Sequence, residues 1–428
     1  MTTRALPEWL PQSILTLASG YDARTLLADL IAGLTVGLVA LPLAMAFAIA
    51  SGLTPQAGIY CAIITGFLIS ALGGSRFQIG GPTGAFVVVV AGIINQYGVD
   101  GLFMCTMMAG VMLVIMALTG TGTAVKFIPR PVIIGFTNGI AIVIASTQLK
   151  DFFGLAIDVP GEFLGRVRTI VANIDTASSD SILLGGGTLM LLILWSRYVR
   201  RVPAYIVALF AGTGAAIAFG LDVATIGSRF GGIPSGLPHF QVPRFQPGLI
   251  LTLLSPAFTV AMLGAIESLL SAVVADRMGG GRHNPNTELF AQGAANIVSP
   301  LFGGLPATGA LARTATNIRS GARSPVAGMI HAVTLLGVLI FGAGLAAYVP
   351  LPVLAAILFV VAWNMGEWRE IAEIVKQTYA DILVWAVTLL LTVFADLTVA
   401  VEVGMVMAAL LFINRVTRTT TVSRVTRV

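Results

Sequence analysis

Long apolar stretches alternate with short polar segments along the whole chain. A helix needs about 20 apolar residues to cross the hydrocarbon core of a bilayer. By that criterion we predict fourteen membrane-spanning helices, of which the third and the tenth are short. In order they cover 26–50, 56–72, 83–94, 101–119, 131–148, 182–195, 204–219, 249–275, 287–302, 308–318, 324–346, 351–364, 381–394 and 397–414.

Polar segments divide these spans into two sets of seven. Short amphipathic helices at the membrane surface are predicted at 163–174 and at 367–377. The predicted divisions are a cytoplasmic N-terminal segment over 1–24, the first set of spans over 25–219, an extracellular linker over 220–248, the second set over 249–414 and a cytoplasmic basic tail over 415–428.

One motif occurs once in each set of spans. Its copies are Gly80-Gly81-Pro82-Thr83-Gly84-Ala85 and Gly303-Gly304-Leu305-Pro306-Ala307-Thr308-Gly309-Ala310. We interpret each as an extended segment that opens into a helix, because Pro fits the first helical turn and Thr can cap it. The free N–H groups of such a helix start attract anions, so the two copies predict one central anion site. Either copy alone could be a surface turn.

The two sets of spans repeat each other. Thr35 and Thr259 begin matching Thr-Val pairs 224 residues apart, and Thr83 and Thr308 are 225 residues apart. Seven spans per set give the second set the opposite orientation, which is an inverted repeat. Interrupted helices at matching positions indicate a transporter site near the bilayer midplane. The predicted fold is therefore an all-α polytopic membrane protein with a 7+7 inverted repeat.

Composition supports this class and excludes others. Only 10% of the 428 residues are charged and 57% are hydrophobic, whereas a soluble domain carries about 25% charged residues. Cys61 and Cys105 lie inside apolar stretches, and the three histidines have no metal-ligand spacing. No nucleotide-binding loop or nucleophile with its base is recognisable. We therefore expect neither an enzyme nor an ATP-driven pump, with no cofactor, metal site or nucleic-acid partner.

Basic residues indicate the orientation, because Lys and Arg favour cytoplasmic loops. With the N-terminus in the cytoplasm, inside loops hold twelve of them and outside loops five. The inside set is Arg76, Lys126, Arg130, Arg197, Arg200, Arg201, Arg277, Arg282, Arg319, Arg323, Arg369 and Lys376, and the outside set is Lys150, Arg166, Arg168, Arg229 and Arg244. Both termini are therefore predicted to be cytoplasmic.

Glu267 lies midway along the eighth predicted span. A charged side chain at that depth costs on the order of 2.5–3.5 kcal/mol on insertion scales, so it should face a polar cavity or a partner. Ser271 follows one turn later on the same face, and together the two could hold a proton or Na⁺. The alternative is that Glu267 pairs with Arg313. The matching residue of the first half is Leu43, so the repeat is asymmetric here.

Arg313 follows the start of the tenth helix by little more than one turn. Its guanidinium would add to the field of the helix start and hold an anion, or it could pair with Glu267 or extend to the membrane surface. Phe47, one turn after Leu43, could form an apolar wall of the site, although packing alone would also explain it. Three acidic residues near span ends are interpreted as interfacial or capping groups: Asp29, Asp396 and Glu402.

Taken as an ordered series, the motifs resemble the sulfate permease (SulP) family of anion transporters, the bacterial relatives of prestin and pendrin. The series consists of Asp29-Leu30-Ile31-Ala32-Gly33-Leu34-Thr35-Val36-Gly37, Leu41-Pro42, Gly81-Pro82-Thr83, Asn286-Thr287-Glu288-Leu289, Ala294-Ala295-Asn296-Ile297, Phe302-Gly303-Gly304, Thr308-Gly309, Arg313-Thr314-Ala315, Asn317, Gly321-Ala322 and Ser324-Pro325.

The resemblance implies a fold, a mechanism and a site. It implies fourteen spans in core and gate domains with half-helices at spans 3 and 10 (the fold shared with nucleobase permeases and uracil transporters), an elevator-like movement and a homodimer. The anion site would lie between the two half-helices, facing the first and eighth spans. The matching residues are Leu43, Phe47, Thr83, Gly84, Ala85, Glu267, Thr308, Gly309, Ala310 and Arg313.

Within the family, the segment around Glu267 is similar to bacterial members that couple an anion to Na⁺ or H⁺. Sodium-dependent bicarbonate carriers have Asp at Glu267 and Thr at Ser271, which makes a proton a candidate here. Other similar members are associated with dicarboxylates such as fumarate. Leu43 replaces a Gln of other members. The cytoplasmic STAS domain that follows the spans in most members is absent from these 428 residues.

We therefore expect a secondary active transporter of the bacterial inner membrane that moves a small anion (a dicarboxylate, bicarbonate or sulfate) with H⁺ or Na⁺. One alternative is an uncoupled exchanger or channel-like protein, in which Arg313 and the helix starts suffice. Another is a membrane scaffold or motor that does not transport.

Overall fold

Helices account for nearly all regular structure in the protein. The computed structural model describes residues 9–18, 20–121, 130–199 and 202–395, and isolated positions between 399 and 410. Its α-helices are α1 Gln12–Ala18, α2 Ala23–Ala50, α3 Pro55–Leu72, α4 Gly84–Leu118, α5 Arg130–Phe153, α6 Phe163–Ala172, α7 Ser179–Tyr198, α8 Ala204–Ala218, α9 Ile226–Phe230, α10 Ile250–Gly279, α11 Pro285–Val298, α12 Leu311–Arg319, α13 Val326–Ala346, α14 Leu351–Met365, α15 Trp368–Ile374 and α16 Tyr379–Phe394. Two strands are present, β1 Gly80–Gly81 and β2 Thr308–Gly309.

Eight helical segments of the described chain are long and apolar enough to cross a membrane. They are Ala23–Ala50, Pro55–Leu72, Gly84–Leu118, Arg130–Phe153, Ser179–Tyr198, Pro247–Gly279, Val326–Ala346 and Leu351–Ile374. Ala204–Ala218 and Tyr379–Phe394 are apolar but shorter. Most of the predicted span 397–414, the tail 415–428, and the residues Asp396 and Glu402 lie outside the described residues.

The helices pack in two groups. In one group α2 packs on α13, and α10 packs on α4. In the same group α3 packs on α13, α11 packs on α4, and α3 and α11 pack on each other. In the other group α5 packs on α16 and α14, and α14 packs on α7. Contacts between helices of different halves recur with the halves exchanged: α2–α13 corresponds to α10–α4, α3–α13 to α11–α4, and α5–α16 to α14–α7.

The starts of the two motif helices differ from the sequence prediction. The third predicted span was expected to begin at Thr83 and the tenth at Thr308, but α4 begins at Gly84 and α12 at Leu311. The reason is that Thr308 belongs to β2, so the extended segment is longer in the second copy. Within α4, Gly98 has φ 70° and ψ −176°, which separates the predicted spans 83–94 and 101–119.

The prediction that Asp29 is an interfacial or capping group is wrong, because Asp22 caps α2 and no side chain caps α13. Asp29 instead lies inside α2 and binds the segment that precedes α13. The carboxylate is 0% exposed and accepts hydrogen bonds from the backbone N–H groups of Arg323 at 2.7 Å and Ser324 at 3.1 Å. The hydroxyl of Ser324 and the phenol of Tyr21, at 2.9 Å, also donate to it. Burial and the bond to Asp29 raise the pKa of Tyr21 to about 12. Asp29 thus joins α2 to the beginning of α13.

Candidate functional site

The two motif copies meet as an antiparallel pair of short strands. Gly80 pairs with Gly309 and Gly81 with Thr308. The N–H of Ala310 extends the pair by donating to the carbonyl of Ile79 at 2.7 Å. Because each strand leads directly into a helix, the pairing places the beginnings of α4 and α12 beside each other, as the motif repeat predicted.

Glycine is required where the strands approach their neighbours. Gly81 has φ 151°, in the region that side chains disfavour, and a Cβ there would overlap the guanidinium of Arg313. A Cβ on Gly309 would overlap the side chain of Gln78. The small residues of the motif therefore let buried polar side chains reach the strand backbone.

The prediction that the two threonines cap the helices is wrong. The Thr83 hydroxyl donates to Oε2 of Glu267 at 2.9 Å, and the Thr308 hydroxyl donates to the carbonyl of Gly264 at 2.9 Å. No side chain caps α4 or α12. Both threonines instead bind α10, and the first-turn N–H groups of the two helices keep their capacity to face an anion.

Arg313 is buried beside the strand pair. It is 1% exposed, and its Nη2 donates to the carbonyl of Pro82 at 2.7 Å. Its Nη1 has no hydrogen-bond partner among the described residues. Within the same part of the chain, no ion pair joins Arg313 to Glu267, so the alternative that the two hold helices together is wrong. The guanidinium leaves a positive charge next to the helix starts.

Glu267 and Ser271 have different partners. Glu267 is half-buried and binds Thr83, whereas Ser271 is 0% exposed and donates to the hydroxyl of Thr314 at 3.1 Å. Thr314 in turn accepts the N–H of Ile79 at 3.1 Å. Ser271 therefore supports the strand pair from behind, and the structure shows no hydrogen bond between the two predicted cation ligands.

A cavity of about 300 Å³ lies in front of the two helix starts. Nine of the eleven predicted site residues line it: Leu43, Phe47, Thr83, Gly84, Ala85, Glu267, Gly309, Ala310 and Arg313. Thr308 and Ser271 do not line it. The two helix starts, the carboxylate of Glu267 and the apolar side chains of Leu43 and Phe47 thus face a common space.

Sequence reasoning missed the opposite wall of the cavity. That wall comes from α5, α8, α14 and the residue before α15, and includes Phe136, Tyr205, Asn364, Met365 and Glu367. The signal was weak: Asn364 is a polar residue at the end of an otherwise apolar span, Glu367 begins the predicted surface helix 367–377, and the others resemble ordinary span residues.

The cavity extends to exposed residues at one end of the helix bundle. Its α5 and α14 residues lie near Arg130 and Met365, at the ends joined by the ion pair between Arg130 and Glu370. Asn364 and Glu367 are exposed there. These are the ends that the basic residues predict to be cytoplasmic.

Comparison with known proteins shows which family this chain is similar to. The profile of the sulfate permease family matches residues 26–388. The putative sulfate transporter YvdB of Bacillus subtilis is 46% identical over 403 residues, which are 94% of this chain and 76% of that protein. The bicarbonate transporter BicA of Picosynechococcus is 35% identical over 405 residues, 92% of this chain and 71% of that protein.

A solved structure supports the same relationship. The transmembrane domain of a cyanobacterial bicarbonate transporter, BicA, superimposes with a TM-score of 0.79 and 34% identity, covering 91% of this chain and 98% of that domain. These similar proteins are named as transporters and not as enzymes, in agreement with the sequence expectation.

Proposed function

The chain belongs to the sulfate permease family of anion transporters, and from this premise we propose that it moves a small anion across the bacterial inner membrane by secondary active transport. The observation that carries the proposal is the strand pair that places two uncapped helix starts and Arg313 beside one cavity. Helix starts and a guanidinium attract negative charge where little water competes. The candidate substrates are a dicarboxylate such as fumarate, bicarbonate or sulfate.

Glu267 is the proposed coupling residue. It lines the cavity, and its carboxylate is held by Thr83 at the start of α4. A cation taken up there as the anion binds would reduce the charge that must move with the core. Since Ser271 is engaged with Thr314, a proton, which needs one carboxylate, is favoured over Na⁺, which needs several oxygen ligands.

The movement is proposed to follow from the two helix groups. The group with α2, α3, α4, α10, α11, α12 and α13 carries the strand pair and acts as the core, and the group with α5, α7, α14 and α16 acts as the gate. An elevator-like displacement of the core would expose the cavity on either side in turn. The mirrored helix contacts support the proposed 7+7 inverted repeat. A homodimer would anchor the gates.

The test is uptake of labelled fumarate, bicarbonate and sulfate by proteoliposomes under an imposed pH gradient and then a Na⁺ gradient. Accumulation driven by one gradient is expected for the wild type. Glu267→Gln should abolish accumulation, whereas Glu373→Gln, an exposed partner of Lys376, should not. Unchanged accumulation by Glu267→Gln would remove Glu267 from the mechanism.

An uncoupled exchanger is the second candidate, and one observation favours it. Arg313 provides a buried positive charge that Glu267 does not neutralise by direct pairing. In that case uptake should follow a gradient of a counter-anion and ignore pH and Na⁺. The same proteoliposomes, loaded with unlabelled anion, distinguish this outcome from symport.

A further inference from the structure

The start of α4 is enclosed by apolar side chains as well as by donors. A Cβ built on Gly84 would lie 3.0 Å from Sδ of Met365, 3.2 Å from Cδ1 of Ile144 and 3.4 Å from Cε1 of Phe47. Met365 and Ile144 come from the gate helices α14 and α5, and Phe47 comes from α2. An anion at this helix start therefore has an apolar surface directly beside it.

Most polar side chains of the cavity wall already donate their hydrogens elsewhere. The Thr137 hydroxyl donates to the carbonyl of Ile134 at 3.2 Å, and the Thr388 hydroxyl donates to the carbonyl of Val384 at 2.8 Å. Thr83 donates to Glu267. On the opposite wall Tyr205 and Asn364 also carry donors, and these two side chains hydrogen-bond each other. The remaining donors are concentrated at the two helix starts and Arg313, an arrangement that suits a single carboxylate.

The positive charge that lines the cavity also lies on one side of it. Among the described residues that line the cavity, Arg313 is the only basic one, and it lies beside the helix starts. The gate side contributes the acidic Glu367, the neutral polar Tyr205 and Asn364, and apolar residues such as Phe136. A second carboxylate on the substrate would find no basic partner on that side and would face the acid Glu367, which is unfavourable.

The space is larger than a small inorganic anion requires. A cavity of about 300 Å³ is at the lower end of pockets that hold organic ligands, and a water molecule has a share of about 30 Å³. Leu270 is 40% exposed, so part of the apolar wall is open to contact. An apolar substrate body would cover this surface and gain free energy from it.

We propose that the transported anion is an organic monocarboxylate, whose carboxylate faces the first turns of α4 and α12 while its apolar body contacts Phe47, Phe136 and Met365. This inference rests on the proposed transport function and narrows its substrate class. It gives Met365 a part in specificity, because the thioether contacts the helix start from the gate side.

Calorimetric titration of the purified full chain in detergent tests this inference. It measures binding without a bilayer, so carboxylic acids that cross lipid by themselves do not interfere. At about pH 8 the carboxylic acids are ionised. Acetate, propionate, butyrate and benzoate are compared with fumarate, bicarbonate and sulfate. We expect affinity to rise about two- to fourfold per added methylene from acetate to butyrate, and butyrate to bind more tightly than sulfate.

Two substitutions of Met365 test whether its apolar side chain contacts the substrate. Met365→Leu keeps an apolar side chain and should retain the dependence on chain length, whereas Met365→Gln should reduce that dependence, with about a threefold loss in butyrate affinity or more. Melting temperatures without ligand identify any variant that fails to fold, and the wild-type series decides the question by itself.

The outcomes separate the two proposals. Tighter binding of sulfate, bicarbonate or fumarate than of every monocarboxylate, or a flat dependence on chain length, would overturn the substrate inference and leave anion transport standing. If no anion of either class binds or is taken up by proteoliposomes, the proposed function fails and the inference fails with it.

Discussion

Thr83 shows how a single hydroxyl connects the two halves of the site. It lies at the start of α4 in the first half, and its partner Glu267 lies in α10 of the second half. A hydrogen bond to a charged group contributes about 1.5–3 kcal/mol. The placement of Glu267 against the cavity therefore depends on a residue that precedes it by 184 positions.

Thr83→Val should lower gradient-driven uptake by about tenfold or more, since the carboxylate of Glu267 loses its donor and an unpaired polar atom remains. Thr83→Ser keeps the hydroxyl and should retain most of the activity. Initial rates in proteoliposomes measure both. Equal rates for the Val and Ser variants would mean that the hydrogen bond has no part in transport.

Gly81→Ala should lower the melting temperature and abolish uptake, because the added methyl group overlaps the guanidinium of Arg313 at a φ of 151°. Gly187→Ala is the matched control: nothing lies within 4 Å of its Cβ position in α7, and alanine favours a helix by about 0.5–1 kcal/mol. Thermal unfolding in detergent compares the two. A stable, active Gly81→Ala variant would contradict the close approach described for this strand.

At the scale of elements, apolar periodicity predicted the helices well and side-chain partners poorly. The surface helix predicted at 163–174 is α6, Phe163–Ala172, and the one predicted at 367–377 is α15, Trp368–Ile374. Helix length and polarity follow from local sequence, so these elements could be found. The partner of Ser271 could not, because Thr314 is 43 residues away and both have polar neighbours that would fit equally well.

For the candidate site too, the sequence predicted the local elements well and the side-chain partners poorly. Repetition of the motif indicated that the two helix starts share one site, and the strands that precede them pair in the structure. Capping by threonine is the usual local solution, but here α10 offers a carboxylate and a backbone carbonyl, so tertiary partners replace the local ones. The gate wall carries no motif, and its side chains become neighbours of the site only through packing.

The hydrogen bond from Tyr21 to Asp29 makes the stability of the protein depend on pH. The folded pKa of Tyr21 is raised to about 12 from 10.0, so its contribution to stability is complete below pH 10 and is lost as the pH rises through 12. Tyr21→Phe should be less stable than the wild type at pH 8, and the difference should shrink toward pH 12. Melting temperatures across this range measure it. A difference that grows with pH would have the wrong sign.

At the scale of the whole molecule, the cavity faces the side that the basic residues predict to be cytoplasmic. Asn364→Cys should therefore react with a membrane-impermeant maleimide in inside-out vesicles and much less in right-side-out vesicles. The native Cys61 and Cys105 are both 0% exposed and should add little background. Asp222→Cys, in the predicted extracellular linker, is the control and should give the opposite pattern. Equal labelling from both sides would contradict the predicted orientation of the exposed end of the cavity.

The strand pair of two residues from each half has a consequence for biosynthesis. When the ribosome has delivered only the first half, Gly80 and Gly81 have no antiparallel partner, and Glu267 and Arg313 have not yet been made. Unpaired backbone groups are costly in lipid, so the nascent chain must keep this segment near water or an insertase until about the tenth span emerges. Truncated chains that end before Thr308 should therefore be cleared by membrane proteases, even when their preceding helices insert normally.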